Sequence, residues 1–123
     1  MTRSMADGFD PSIRVVRADD PVEWDVIPAA PDDPNEPGEE TVLFRSGDGR
    51  FSFGLWRRVP EEGPMEPPYH EIAVIIEGEV EVTEADGTVH RVGPGDVLVT
   101  PKDSKATWKA LSPVKKFWAV YKE

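Results

Sequence analysis

Between Tyr69 and Pro101 the chain runs through three β-rich segments separated by two glycine turns, and this stretch limits what the protein can be. The first run is Tyr69 to Thr83, and beyond Glu84-Ala85-Asp86-Gly87 the runs Thr88 to Val92 and Val97 to Pro101 are parted by Gly93-Pro94-Gly95-Asp96. Asp86-Gly87 marks a tight hairpin, because glycine reaches positive φ without a steric penalty. Gly93-Pro94-Gly95-Asp96 marks a second turn, with proline fixing φ between two permissive residues. Short strands punctuated this regularly belong to an all-β sandwich or barrel.

The rest of the sequence extends that reading. Arg50 to Arg57 alternates, with Phe51, Phe53 and Leu55 on one face and Ser52, Gly54 and Trp56 on the other. Thr41 to Arg45 reads as a strand, as do Ala106 to Leu111 and Val114 to Tyr121. Residues 60–68 contain four prolines and read as a loop, because proline cannot donate to a sheet ladder. Ile13 to Val16 is a candidate short strand within an N-terminal arm that docks through Trp24 and Ile27. Residues 28–40, rich in proline and acidic side chains, read as an extended connector. The division is therefore an arm and connector over residues 1–40 and one β domain over residues 41–123. Ile72 to Ile76 has no polar alternation, so both of its faces need cover. One face belongs to the interior; the other calls for the arm or a second copy, and a homodimer is the expectation.

Composition excludes several function classes. The net charge of −10 disfavours nucleic acid and anionic membranes, which reward a basic surface. The absence of cysteine removes disulfide and thiol chemistry and fits a reducing, cytoplasmic setting. No apolar run approaches the ~18 residues of a membrane span, and residues 1–10 lack the apolar core of a signal peptide. No nucleophilic triad, phosphate loop or dinucleotide fingerprint is present.

Glu71 followed after six residues by Gly78, and Gly95 followed after five by Pro101, resembles the two sequence blocks of the cupin family. The phrases Ile76-Glu77-Gly78-Glu79 and Val92-Gly93-Pro94-Gly95-Asp96 are similar to that family's wording. The ending, Thr107-Trp108-Lys109 through Pro113-Val114-Lys115-Lys116, resembles the small cupins related to the (S)-ureidoglycine aminohydrolase cupin domain. The resemblance implies an all-β, cupin (RmlC-like) jelly-roll barrel of antiparallel strands with an extended N-terminal arm. Cupins of known activity usually hold a divalent metal through His-x-His and Glu in the first block and His in the second. Glu71 matches the glutamate. The paired histidine positions fall on Met65 and Pro67 or on Pro64 and Glu66, and the second-block histidine position falls on Ala106. The resemblance thus carries the fold and not the metal set, and no metal or other cofactor is expected. Glu66 is the one side chain that would rescue a hard-cation site together with Glu71.

The candidate site follows from parity along the strands. Tyr69, Glu71, Ala73 and Ile75 share a face, and the resemblance points that face into the barrel. Carboxylates among apolar walls need a partner or become weak acids, so Glu71 is the candidate catalytic acid or base. Trp108 shares parity with Ala106, and Trp56 is placed to face the same interior. Tyr69, Glu71, Trp108 and Trp56 are the candidate ligand-binding residues for a small organic molecule; core packing is the competing role for the aromatics. His70 lies on the opposite face from Glu71, and His90 follows the hairpin to the surface. Three functions stay open: a cupin-class enzyme acting on a nitrogenous metabolite, a metal-free binding module, and a scaffold acting through its surface.

Overall fold

A computed structural model describes residues 12–27 and 38–123. Ten strands run in chain order: β1 (Asp25–Ile27), β2 (Gly38–Arg45), β3 (Phe51–Arg58), β4 (Glu62–Met65), β5 (His70–Glu77), β6 (Val80–Glu84), β7 (Val89–Val92), β8 (Val97–Thr100), β9 (Ala106–Ala110) and β10 (Val114–Tyr121). All pairings are antiparallel. They form a six-stranded sheet ordered β1-β2-β3-β10-β5-β8 and a four-stranded sheet ordered β4-β9-β6-β7. The expected all-β jelly roll is the architecture the chain adopts. No helix among the described residues is long and apolar enough to cross a membrane.

Glycines close the turns where the sequence requires them. Gly87 and Gly95 adopt φ of 92° and 87°, as the two turns of the central stretch demand. Gly78 between β5 and β6 has φ of 90°, and a Cβ there would lie 2.2 Å from the Pro113 carbonyl oxygen. Only glycine lets these two backbones approach so closely.

The two sheets meet over a core of Ile75, Val80, Val82, Val92, Trp108, Ala110 and Val114, with Trp56, Met65, Leu98 and Ala106 packed against it. This core fills one end of the sandwich. At the other end the inner face of the six-stranded sheet continues through Ser52, Glu71 and Val120 without entering that cluster.

Several expectations are corrected. Residues 60–68 are not wholly loop: β4 pairs with β9 from Glu62 to Met65. It lies at the edge of the smaller sheet, where a missing proline donor is tolerated. Ile13 to Val16 forms no strand; the arm instead runs along the outer face of the larger sheet. There the Arg14 guanidinium donates to the Leu43 carbonyl and the Lys115 ammonium to the Ala18 carbonyl. Trp24 docks as expected, with the Arg57 guanidinium 4.0 Å and the Lys115 ammonium 5.8 Å from its ring centroid. Ile27 does not dock on that face but turns inward from β1. The expectation for the connector falls largely on residues 28–37, outside the described residues, while Gly38 to Glu40 already belong to β2.

The arm covers only part of the outer face. Leu55 is fully buried there, and Phe44 stacks on Phe53 with ring centroids 5.7 Å apart. Across β5 and β8 the described residues supply no cover. Ile72, Val97 and Val99 remain 50%, 57% and 64% exposed, with Ile72 directly paired to Val99.

Candidate functional site

The strand register decides what meets inside the barrel. Within β10, Lys116, Trp118 and Val120 share the inward face with period 2, opposite Trp56, Gly54 and Ser52 of β3. A register irregularity between Lys115 and Lys116 then pairs Lys116 with Ile75 and Val120 with Glu71 on β5. The Lys116 side chain reaches back along the groove, and its Nζ lies 2.9 Å from Oε2 of Glu71. The side chains of this pair are 13% and 17% exposed.

Aromatic rings enclose the ammonium. It lies 4.7 Å from the Trp56 ring centroid and 5.0 Å from that of Trp108. The two indoles meet edge to face at 5.8 Å and 85°. Trp108 belongs to the buried core cluster and supports the ammonium from behind. Trp56 and Trp118 line the open side. The indole N–H groups of Trp108 and Trp118 are buried and have no hydrogen-bond acceptor.

This open side is a cleft of about 420 Å³ lined by residues of the six-stranded sheet and its flanks. Ile27, Val42 and Val120 give it apolar wall; Trp56, Tyr69 and Trp118 give it rings; Glu40, Arg45, Ser52, Glu71, Lys116 and Lys122 give it polar groups. No side chain of the smaller sheet lines it. The Tyr69 hydroxyl is held above its ordinary pKa by burial first, then by the charges of Glu71 and Glu40, so it is a neutral donor near pH 7. The Glu40 carboxyl is also pushed up, mainly by burial; Arg45 opposes the shift and Asp25 adds to it.

Of the residues marked in the sequence, Tyr69, Glu71 and Trp56 meet at the cleft, and Trp108 stands behind it. The histidines lie elsewhere. His70 faces outward, stacks on Tyr121 at 6.5 Å, and accepts the Lys102 amide at Nδ1. The Nε2 of His90 lies 2.6 Å from Glu84 at the surface. Sequence reasoning missed Lys116 as a site residue, although its parity with Trp118 and Val120 marks a cation on an inward face.

In metal-holding cupins of the kind the sequence resembles, a divalent cation would sit against the glutamate at the position of Glu71. Here the donor set does not fit one. The neighbour of Glu71 is an ammonium, which repels a divalent ion. Met65 and Ala106 pack against the core, and Glu66 is exposed, 3.7 Å from the Lys105 ammonium. Among the described residues no three His, Cys, Asp or Glu side chains converge on a common point.

Residues 45–118 match the family described as the EutQ-like cupin domain. No curated protein matches the sequence. Among solved structures, one assigned as ethanolamine utilization protein Q of Salmonella typhimurium is 22% identical; the match covers 71% of each chain with a TM-score of 0.62. EutQ of Clostridium difficile is 20% identical over 70% of this chain and 68% of its own, with a TM-score of 0.61. A DUF861 family protein of Thermotoga maritima is 33% identical over 55% of this chain and 76% of its own, with a TM-score of 0.53.

Proposed function

The chain belongs to the EutQ-like cupin domain family, and from that premise we propose that it is a metal-free binding protein for a small polar metabolite held in the barrel cleft. One observation carries the reading: the Glu71–Lys116 pair, 2.9 Å apart and largely withdrawn from water, faces an open cleft of about 420 Å³. Burying two charges costs more than burying apolar residues of the same shape. A barrel selected only for stability gains nothing from such a pair. The cleft lies in the size range of small-molecule sites and combines ring and aliphatic wall with six polar or charged side chains.

In this reading the chain supplies its own cation. Lys116 presents hydrogen-bond donors where other cupins present a metal, and Glu71 fixes its position. Tyr69, Trp56 and Trp118 shape the wall, and Trp108 backs the ammonium. A second, enzymatic reading takes Glu71 as the proton-transferring group of a ureidoglycine aminohydrolase-like reaction on a nitrogenous metabolite. It draws on the contact of that carboxylate with a proton-bearing ammonium. The protein is taken to work in the cytoplasm as a homodimer through the bare face of β5 and β8.

The test is a screen of small polar metabolites, including ureido and amino acids, read by tryptophan fluorescence and thermal shift. Trp56 and Trp118 report directly on cleft occupancy. A ligand whose binding weakens in both Glu71→Gln and Lys116→Met supports the reading. Hits indifferent to both substitutions reject it. Ammonia release from a ureido compound, lost in Glu71→Gln, would move the function to the enzymatic reading.

A further inference from the structure

We infer that the ligand of this cleft is an organic anion, a small monocarboxylate with a flat body, bound head-first on Lys116. This rests on the reading of the cleft as a ligand site and adds the chemical class.

Charge is the first argument. The chain as a whole carries −10. The cleft wall carries Arg45, Lys116 and Lys122 against Glu40 and Glu71, three cations against two carboxylates, which leaves one positive charge. A basic spot in an acidic protein concentrates anions from a surface that otherwise repels them.

The hydrogen-bond inventory gives the same sign. Glu71 engages one N–H of Lys116, and an ammonium has three. The Tyr69 hydroxyl and the Ser52 hydroxyl add donors on the same wall. The carboxylate acceptors on this wall are the Glu40 oxygens and the second oxygen of Glu71, and the N–H groups of Arg45, Lys116 and Lys122 outnumber them. A ligand completes this wall by bringing acceptor oxygens.

An organic cation is excluded twice. It would meet Lys116, and the ring faces of Trp56 and Trp108 that would attract it already hold the Lys116 ammonium. The flat body follows from the rings of Tyr69 and Trp118 on the wall, which favour stacking over branched aliphatic contact.

Benzoate, benzamide and benzamidine share one shape and carry negative, zero and positive charge. Calorimetric titration of the full chain with each isolates the charge preference and needs no variant. Benzoate is expected to bind tighter than benzamide by roughly ten- to hundredfold, the range of one hydrogen bond to a charged group, and benzamidine weakest. Lys116→Met should erase the benzoate advantage and leave benzamide binding in place. Equal or tighter binding of benzamide or benzamidine would overturn the anion inference while the cleft remained a ligand site. Benzoate binding undiminished in Lys116→Met would overturn it as well. No binding of any of the three at millimolar concentration would overturn both the class and the site.

Discussion

Replacing Lys116 by methionine keeps the length of the side chain and removes its charge, so the response isolates the ion pair. In the native barrel the Glu71 side chain is 17% exposed, and among the described residues its side-chain hydrogen bond is to Lys116. Losing one member of a buried pair leaves the other charge uncompensated, at a cost of about 3–5 kcal/mol. The low end applies here, about 3 kcal/mol, because Glu71 lines an open cleft that water can enter. Glu71→Gln should cost less, about 1 kcal/mol. The amide oxygen still accepts from Lys116, and the ammonium keeps the faces of Trp56 and Trp108. The double variant, with neither charge, should fall short of the sum by about 2 kcal/mol. For a domain of this size the Lys116→Met loss is a fall in Tm of about 10 °C. Urea unfolding of all four proteins at pH 7 gives the coupling directly. If both single variants lie within about 0.5 kcal/mol of the native protein and their effects add, the pair is a loose surface contact and the reasoning fails.

Gly78→Ala should cost more than about 3 kcal/mol, because its φ of 90° is joined by a Cβ contact of 2.2 Å with the Pro113 carbonyl; Gly87→Ala, with φ of 92° and open space, should cost about 1–2 kcal/mol. Equal losses in thermal melts would mean that the backbone approach at Gly78 is relieved elsewhere. Glu40 has a raised pKa in the folded state, so folding takes up a proton between its ordinary value of 4.5 and the raised one, and stability from this group falls as pH rises through that window. Glu40→Gln should therefore melt higher than the native protein at pH 7, with the gain vanishing below pH 4.5; a gain that persists in acid would assign it to another cause. We propose that a second copy covers Ile72, Val97 and Val99, which are 50–64% exposed, and light scattering should give twice the 13.7 kDa chain mass, with Val99→Lys returning the protein to monomer. A native monomer at high concentration rejects this dimer.

Strand existence was legible in the sequence because it is a local property. The period-2 alternation of Phe51 to Trp56 sorted inner from outer residues before any partner was known, and Tyr69, Glu71, Ala73 and Ile75 were grouped on one face by the same rule. Gly87 and Gly95 announced their turns because positive φ is a requirement of single residues. The edge strand at Glu62 to Met65 was hidden, since proline marks what a residue cannot donate and not where a sheet ends.

What parity cannot give is the partner across the sheet. Glu71 and Lys116 are 45 positions apart, and nothing in their neighbourhoods names one to the other. Their meeting depends on β10 lying between β3 and β5 and on the register irregularity at Lys115 and Lys116. The cleft has the same origin: among the described residues its lining comes from strands of the six-stranded sheet and their flanks, which strand order brings together. Sequence determined most of the strands from β2 onward, the turns and the inward glutamate, because these follow from steric preferences and side-chain period along a few residues, and it missed β1 and β4. Tertiary structure alone decided that the cation beside that glutamate is a lysine, because strand order and register are settled by the packing of the whole chain.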